Sequence, residues 1–418
     1  MKSNNFKCVF GFKLVLFFLM IASSGFAQNR NNIQIGTVDS ISSKVLNEER
    51  KIWVHLPRSA QNTGFAKQKY PVVYLLDGDA HFSSVVGMIE ELSEINGNTI
   101  CPEMIVVGIT NTNRNRDLTP THSSVDPPFV TKGLSEQSGG GEKFAEFIEK
   151  ELIPYIDSKY PTAPYRTLIG HSFGGLTVMN ILTNHTHLFN SYIAIDPSMW
   201  WDHQKFLAET EKKLSSKKLS NISLFMAAAN TMDDNMNIVK VRRDTTAFTK
   251  HIRSILDLND FLNKNKKSGL NYEYEYYNND NHGSVPLIAT YDGLRFIFKF
   301  NQLKLSVSDQ VNFNKAVFTK IEKHFDNVSK HYGYKVSVPE NTVNAYAYQS
   351  LGKKDMEFAG YLFKLNVANY PQSPNVYDSL GDFYQANGDT KNAISSYEKV
   401  LVLDKNFPET RGKLEKLK

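Results

Sequence analysis

The segment LIGHSFGGL, residues 168–176, places one serine, Ser172, two residues after Gly170 and two residues before Gly174. A serine hydroxyl attacks a carbonyl carbon only when a base removes its proton and a sharp turn exposes it. Glycine on both sides lets a strand and a helix approach closely enough to form such a turn. An apolar strand, YRTLI, precedes the serine and a helical pattern follows it. The segment therefore predicts a nucleophile; the alternative is a serine that only caps the helix.

His282 has the position expected of the base that would activate Ser172. It lies in the polar turn NDNHGS, after the strand-like run NYEYEYYN and before a helical pattern. The chain order nucleophile, acid, histidine is that of α/β-hydrolases. His171 is next to Ser172 in sequence, but we expect its side chain to point away across the turn. His282 is thus predicted to be the general base, with a solvated turn histidine as the alternative.

The acid that orients the histidine has three candidates. The loop TMDDNMN, after the apolar run ISLFMAAAN, has the usual place for it and contains Asp233 and Asp234. Asp196 is a rival, because it follows the preceding strand and the acid can move by one strand in this fold. Asp233 is preferred, and its carboxylate would hold the imidazole in one tautomer and stabilise the imidazolium. The alternative is that these carboxylates only solvate their loops.

Two aligned N–H groups are needed to stabilise a carbonyl oxygen that gains negative charge. One is predicted at Phe173, directly after the nucleophile, and the other at Gly78 or Asp79, after the apolar run VVYLLDG. Asp77 and Asp79 resemble a metal-binding pair, but no cluster of Cys and His with ligand spacing accompanies them. We therefore predict no metal and no cofactor.

The elements that must position these residues alternate between strand and helix patterns from residue 33 to about 300. Repeated strand–helix pairs predict an α/β fold with a mostly parallel sheet and helices on both faces. The runs NIQIGTVDSISS and RKIWVHLP predict an opening antiparallel pair. Residues 111–141 are rich in Asn, Thr, Pro, Ser and Gly, which predicts a long functional or disordered loop.

The C-terminal part of the chain shows only helical patterns. We predict a catalytic domain at 28–300, a helical connector at 301–340 and helical repeats at 341–418. Ala393 and Tyr397 lie 34 residues after Ala359 and Phe363, a period that resembles the tetratricopeptide repeat. Two units are too few for a free-standing array. Helices packed on the catalytic domain are therefore preferred over a groove for a protein partner.

The N-terminus has the pattern of a secretory signal peptide. Three lysines precede the apolar run LVLFFLMIASSGFA, and residues 25–27 form a small-x-small cleavage site. The run breaks at Ser23, which is too early for a membrane span of about 20 residues. The sequence predicts cleavage after residue 27, a periplasmic or secreted protein, and no stable membrane anchor.

The net charge argues against a nucleic-acid-binding protein, and the cysteine content argues against a protein stabilised by internal disulfides. The formal net charge of +5 falls to +2 without the three lysines of residues 1–27, and no dense run of Lys and Arg follows. The sequence therefore predicts no nucleic-acid partner. Cys101 is the one cysteine after residue 27, so an exported chain would contain no internal disulfide.

Four segments resemble the esterase branch of the α/β-hydrolases, which includes siderophore, feruloyl and acetyl xylan esterases, S-formylglutathione hydrolase and mycolyltransferases. These segments are YPVVYLLDGDAHF, IGHSFGGL, AIDPSMWWD and NDNHGSVP. The resemblance covers about residues 33–300 and is most similar to the siderophore esterases. It implies an α/β-hydrolase fold, followed here by a small all-helical region. It also implies that Ser172 is the nucleophile, that His282 is the base, and that the N–H groups of Asp79 and Phe173 form the oxyanion hole.

The resemblance also suggests residues that bind substrate. The segment TNTNRNRDLTPT is similar to the family's loop after the fourth strand, where Arg114 and Arg116 would meet an anionic or catecholate substrate. The alternative is that both arginines are solvated at the surface. Trp200 and Trp201 would line an acyl or aromatic pocket, or would belong to the core.

Taken together, these patterns predict an exported serine esterase, a carboxylic ester hydrolase that acts through an acyl-enzyme on Ser172. Its substrate would be a small-molecule or glycan ester, such as a siderophore or an acylated or feruloylated glycan. An acyltransferase of the same fold is one alternative. A catalytically retired hydrolase that binds a protein through its helical tail is another.

Overall fold

The computed structural model describes residues 33–61, 68–124, 133–311, 314–407 and 409–418. The predicted signal peptide, residues 1–27, lies outside these ranges. Among the helices within them, none combines the length and the apolar character needed to cross a membrane.

Eight strands form one sheet, in the spatial order β1-β2-β4-β3-β5-β6-β7-β8. β1 pairs antiparallel with β2 and β2 with β4, whereas all other neighbours are parallel. The predicted opening pair and mostly parallel sheet are therefore confirmed. The strands are β1 Thr37–Ser43, β2 Glu48–His55, β3 Tyr70–Leu75, β4 Ile105–Ile109, β5 Thr162–His171, β6 Ser191–Ile195, β7 Ser223–Ala229 and β8 Asn271–Tyr277.

Helices cover both faces of this sheet. The helices that follow or connect the strands are α1 Gly78–Ser93, α2 Gly141–Phe147, α3 Ile153–Lys159, α4 Phe173–Asn184, α5 Lys205–Leu214, α6 Lys250–Lys264 and α7 Val285–Ile297. A π-helical turn, Ile148–Leu152, joins α2 to α3 ahead of Pro154, which cannot donate a backbone hydrogen bond. Two short helices, Arg114–Asp117 and Ile238–Val241, lie in the loops.

The central strands are apolar throughout because both of their faces are buried. Successive side chains of a strand point to opposite faces, and β3 shows the result. Val72 and Tyr74 join one apolar cluster, with α2, α4 and α6, whereas Val73 and Leu75 join the other, with α1 and α7. Such continuous burial is typical of a parallel sheet covered on both sides.

The C-terminal helices are α8 Lys315–Tyr332, α9 Glu340–Gly352, α10 Met356–Asn369, α11 Pro374–Ala386 and α12 Thr390–Leu403, with short helices at Val307–Val311 and Thr410–Glu415. The first residues of α9 and α11, and those of α10 and α12, are 34 positions apart, the period seen in the sequence. At Gly381 a Cβ atom would lie 2.4 Å from the Tyr397 ring, so this contact between α11 and α12 requires glycine. The assignment to the tetratricopeptide class stays a prediction.

Helix α8 belongs to two apolar clusters. Val328 and Tyr332, at its C-terminal end, pack in the cluster that contains α1 and α7. Phe318 and Ile321, nearer its N-terminal end, pack with α9, α10 and α11. Residues 36–418 accordingly form one compact unit.

A buried ion pair fixes the short helix Arg114–Asp117 against β2. Arg50 is 1% exposed and donates from Nη1 to Asp117 Oδ2 at 2.6 Å and to Glu48 Oε1 at 2.9 Å. Its guanidinium also lies over the rings of Phe144 and Phe147, at 5.5 and 5.6 Å. Asp117 is 2% exposed, so its charge depends on Arg50 and on Arg116, whose Nε lies 2.7 Å from its Oδ1.

The substitution Arg50→Met tests this anchor. Because it removes one of the two guanidinium groups that pair with the buried Asp117 carboxylate, we expect the free energy of unfolding to fall by about 1.5–3 kcal/mol. Urea unfolding followed by tryptophan fluorescence measures the change. The control is Lys150→Met, which removes an exposed pair with Glu146 and should leave the midpoint unchanged. Equal midpoints for both variants would show that the buried pair does not anchor the segment.

Candidate active site

Ser172 lies on a sharp turn between β5 and α4. Its backbone angles are φ 60° and ψ −116°, and its side chain makes no capping hydrogen bond to the helix. A Cβ atom on Gly170 would lie 2.4 Å from the carbonyl oxygen of Gly174, so the strand and the helix approach too closely for any other residue. The turn therefore presents the hydroxyl outward, and the helix-capping alternative does not describe it.

The serine, one histidine and one carboxylate form a hydrogen-bonded chain. Ser172 Oγ lies 3.1 Å from His282 Nε2, and His282 Nδ1 lies 2.6 Å from Asp196 Oδ2. With the Nδ1 proton donated to the carboxylate, Nε2 is left to accept the serine proton. This is the arrangement of a nucleophile, its base and an orienting acid. Ser172 Oγ also lies 3.4 Å from Ser198 Oγ.

Asp196 is the acid of this chain, so the preference for Asp233 is wrong. Asp233 and Asp234 are exposed in the loop after β7, whereas Asp196 directly follows β6, the strand beside β5. Its φ of 42° turns the chain immediately after the strand. Its Oδ1 accepts a hydrogen bond from the N–H of Ala229 at 2.9 Å. The acid therefore comes from one strand earlier than usual.

The Asp196 carboxylate is ionised despite complete burial. Burial alone would raise its pKa, but the charges and hydrogen bonds of His251 and His282 hold the pKa of Asp196 well below its usual range. His251 Nε2 lies 2.9 Å from Oδ2, the same oxygen that His282 contacts. His251 was not predicted, because a histidine near the start of an amphipathic helix gives no local signal of this contact.

His171 faces the site, and the prediction that it points away is wrong. Its ring centroid is 4.5 Å from that of His282. His171 has the same strand parity as Ile169, which packs on the face covered by α7, and the turn with His282 leads into that helix. Burial, and next the nearby His282, lower the pKa of His171 to about 3, so the ring is neutral at neutral pH.

The predicted oxyanion-hole residues lie at the N-termini of two neighbouring helices. Phe173 is the first residue of α4 and Asp79 the second of α1, where backbone N–H groups have no acceptor within their own helix. These helices follow β5 and β3, which pair in parallel, and the N–H of Leu76 donates to Ile169 O at 2.9 Å. Both N–H groups thus belong to the edge of the sheet that carries Ser172.

The two predicted arginines have different surroundings. Arg114 donates from Nε and Nη2 to Asp77 at 2.7 and 3.0 Å, and its guanidinium lies 5.6 Å from the Phe173 ring centroid. Burial would raise the pKa of Asp77, but Arg114 keeps it below its usual value. Arg114 therefore lies beside the turn that carries Ser172, with its guanidinium engaged by Asp77.

Arg116 takes part in the ion pairs that hold the short helix Arg114–Asp117 against β2. Its Nε donates to Asp117 Oδ1 at 2.7 Å, and its Nη1 and Nη2 donate to Glu48 at 3.0 and 2.7 Å. All three guanidinium nitrogens are engaged in ion pairs. These carboxylates hold the Arg116 guanidinium against β2, and its contact with substrate stays a prediction.

Trp200 and Trp201 belong to the core. Both are buried, and their ring centroids are 6.0 and 5.2 Å from that of Phe173. Trp201 Nε1 donates to Thr121 O at 3.0 Å. Of the two interpretations of these residues, the structure supports the core. Both indole rings pack against Phe173, the residue after Ser172.

One group of side chains in the described ranges has the composition of a metal site: Asp196, His251 and His282, whose donor atoms lie within 4.8 Å of one another. A tetrahedral zinc ion with bonds of about 2.0 Å separates its ligand atoms by roughly 3.3 Å. Here both ring nitrogens lie within 2.9 Å of one carboxylate oxygen. These distances are those of hydrogen bonds between the imidazoles and the carboxylate.

Comparisons with known proteins match the part of the chain that holds most of this geometry. Residues 43–256 match the family described as "Putative esterase". The chain is 32% identical over 223 residues to the ferri-bacillibactin esterase BesA of Bacillus subtilis, an alignment that covers 49% of this chain and 74% of that protein. It is 25% identical over 244 residues to the siderophore triacetylfusarinine C esterase of Aspergillus fumigatus, covering 55% of this chain and 82% of that protein.

A solved structure shows the same likeness. An IroE-like serine hydrolase from Shewanella oneidensis superposes with a TM-score of 0.64 and 31% identity, over 79% of this chain and 98% of that chain. The family match includes Ser172 and Asp196 and ends before His282.

The substitution Asp196→Asn tests the acid. An amide cannot accept the Nδ1 proton as the carboxylate does and favours the wrong imidazole tautomer, so Ser172 should react with a fluorophosphonate roughly 10³–10⁴ times more slowly. Mass spectrometry of the Ser172 adduct over time gives the rate. The control Asp233→Asn should keep the rate within about twofold. A slow Asp233→Asn and a normal Asp196→Asn would reverse the assignment.

The neutral His171 predicts a dependence of stability on pH. Between pH 6.5 and about 3 the unfolded chain binds a proton on this residue that the folded chain does not. Stability is therefore lost as the pH falls through this window. In His171→Phe this loss is absent, and the difference from the wild type should reach about 2 kcal/mol at pH 5.

Urea unfolding at pH 7, 6 and 5 gives the free energy of unfolding of both proteins. Only the change with pH is compared, so a uniform effect of the new ring on packing cancels. His187→Phe, at a side chain that is 63% exposed, is the control and should follow the wild type. Parallel curves for His171→Phe and the wild type would show that His171 is protonated in the folded protein.

Proposed function

This chain belongs to the "Putative esterase" family and is a carboxylic ester hydrolase, and on that premise we propose that it hydrolyses siderophore esters through an acyl-enzyme on Ser172. The observation that carries the mechanism is the hydrogen-bonded chain from Ser172 Oγ through His282 to Asp196, with distances of 3.1 and 2.6 Å. It is built on a turn that requires glycine at position 170.

In the first step, Ser172 Oγ attacks the ester carbonyl carbon while His282 Nε2 takes the hydroxyl proton. The Asp196 carboxylate stabilises the imidazolium that forms, because its Oδ2 lies 2.6 Å from His282 Nδ1 and is itself buried away from water. The carbonyl oxygen becomes an oxyanion, which the N–H groups of Phe173 and Asp79 would bind. Each N–H lies in the first turn of its helix, where it has no acceptor within that helix.

In the second step, the tetrahedral intermediate collapses and His282 gives its proton to the leaving alcohol oxygen. The product is an ester between Ser172 and the acid part of the substrate. Water then attacks this acyl-enzyme, with His282 Nε2 again as the base, and releases the carboxylic acid. His171, neutral and 4.5 Å away, does not repel the imidazolium by charge.

The proposed substrate class rests on the relatives. Proteins described as siderophore esterases match this chain over 40–55% of its length, at 25–32% identity. Hydrolysis of a siderophore ester yields an alcohol and a carboxylic acid, and this is the reaction that Ser172, His282 and Asp196 would catalyse. An acylated or feruloylated glycan uses the same chemistry, so the substrate test includes it.

We extend the proposal to export and domain organisation. Cleavage after residue 27 would release a periplasmic or secreted enzyme, on the evidence of the apolar run and the small-x-small site. The catalytic domain would comprise residues 28–300, followed by the connector and the helical repeats. The site residues Ser172, Asp196 and His282 all fall within this catalytic domain.

The test compares ester hydrolysis by the wild type and by Ser172→Ala. We expect the wild type to cleave a siderophore triester with kcat/KM at least about tenfold above that for a feruloylated or acetylated glycan, and Ser172→Ala to lose at least about 10³-fold. Mass spectrometry of products formed with added glycerol separates hydrolysis from acyl transfer.

Three results would overturn parts of this proposal. Full activity in Ser172→Ala would overturn the serine mechanism. Preference for a glycan ester would overturn the substrate class and leave the mechanism intact. Esterification of glycerol in place of acid release would make the enzyme an acyltransferase.

A further inference from the structure

We propose that His251 is a positioning residue of this site: its Nε2–H donates to Asp196 and sets both the orientation of that carboxylate and its strength as a partner of His282. The inference rests on the proposed function, because it concerns how well His282 accepts the proton of Ser172. The observation behind it is that one oxygen, Asp196 Oδ2, lies 2.6 Å from His282 Nδ1 and 2.9 Å from His251 Nε2.

The surroundings of the carboxylate leave it no freedom. Asp196 is completely buried, and its other oxygen accepts from the N–H of Ala229 at 2.9 Å. Three donors from three separate segments therefore hold one carboxylate: the last residue of β7, the first turn of α6 and the turn before α7. Removing His251 would leave the carboxylate held by His282 at Oδ2 and by the Ala229 N–H at Oδ1, with one constraint fewer on its orientation.

The helix that carries His251 is fixed at its start. The hydroxyl of Thr249 donates to Asp244 Oδ2 at 2.6 Å and accepts from Arg253 Nε at 3.0 Å. Ile252 and Ile255, on either side of the next turn, are buried in the apolar clusters. The imidazole of His251 is only 13% exposed. Its position is therefore set by the fold rather than by solvent.

The two ring nitrogens of His251 have different surroundings. Nε2 lies at hydrogen-bond distance from a carboxylate, so it carries a proton. Nδ1 is buried and has no hydrogen-bond partner among the described residues. The His251 ring centroid lies 5.3 Å from that of His282. His251 thus makes its hydrogen bond through Nε2, as a donor to Asp196.

The His251 donor on Oδ2 weakens that oxygen as an acceptor for His282. The carboxylate then stabilises the His282 imidazolium less than an unshared carboxylate would. Removing the donor therefore raises the pH at which free His282 loses its proton. It also removes one constraint on the carboxylate, which lowers turnover because His282 is held less firmly.

The other groups that face this cluster do not replace His251. His171 contacts His282 from β5 and is neutral, and beyond it lie His81 and Asp77, which interact with His171 through charge. Tyr274 on β8 interacts with Asp196 through charge, and burial raises the pKa of its phenol. Within the described residues, the side chains that donate to Asp196 are those of His251 and His282.

The experiment compares His251→Phe, which fills the space without a donor, with His251→Gln, whose Nε2–H occupies a similar position. The pH profile of kcat/KM for ester hydrolysis is the main measurement. We expect His251→Phe to move the acidic limb upward by about one pH unit and to lower kcat about tenfold with little change in KM. His251→Gln should restore both toward the wild type.

The matched control is His185→Phe. His185 is also a histidine beside a carboxylate, with Nε2 3.1 Å from Glu142 Oε1, and it is 14% exposed. Its removal should leave the pH profile unchanged. Urea unfolding midpoints of all variants show whether each is folded at the assay temperature.

A second measurement does not require any substrate. In 1H NMR spectra, the His282 Nδ1–H bonded to Asp196 should give a far-downfield signal that is absent in His282→Gln. Its titration midpoint should rise by about one pH unit in His251→Phe and return in His251→Gln. This midpoint tests the role of His251 even if no ester is cleaved, so failure of the proposed function is recognised separately.

An unchanged midpoint and acidic limb in a folded His251→Phe would overturn the proposal and leave His251 as a packing residue. Equal effects of Phe and Gln would also overturn it, since the donor would then not be what matters.

Discussion

The carboxylate of Asp196 is the interaction on which the candidate site depends. It is buried completely and draws three donors, from β7, α6 and the turn before α7, into contact with one side chain. A buried charge is tolerated only when it is paired and hydrogen-bonded. The three segments that carry its donors are therefore held together at one carboxylate. His282 is fixed by this contact, and its Nε2 is thereby positioned beside Ser172 Oγ.

The parallel sheet explains why these groups meet. Ser172, Asp196 and His282 follow β5, β6 and β8, and the carboxyl ends of parallel strands lie at one edge of a sheet. The same edge holds the N-termini of α1 and α4, whose free N–H groups favour negative charge. Nucleophile, base, acid and anion-binding groups thus arise from one topological feature. Helices that cover both faces keep the edge rigid.

What could be predicted from the sequence was whatever a short local pattern encodes. The glycines around Ser172 indicated the turn, and the apolar runs indicated the strands, because these features depend on neighbours along the chain. The acid and His251 depend instead on how β6 and α6 approach the turn with His282, which no local pattern records. For a related reason, the sequence left two interpretations open for Arg116 and for the two tryptophans. Residue type alone does not say whether a cation has a carboxylate partner or whether an aromatic ring is buried.

Helix α8 bears on how this protein can be cut, fused or recombined. The ring centroid of its Tyr332 lies 5.0 Å from that of Tyr165 on β5, the strand that leads to Ser172. Its Phe318 packs with α9, α10 and α11. A chain ended at residue 300 would expose an apolar surface on the catalytic domain, and one ended just after α8 would expose the opposite flank of that helix. Exposed surfaces of this kind promote aggregation. A gene fragment that encodes a soluble esterase should therefore retain α8 together with the helices that cover it.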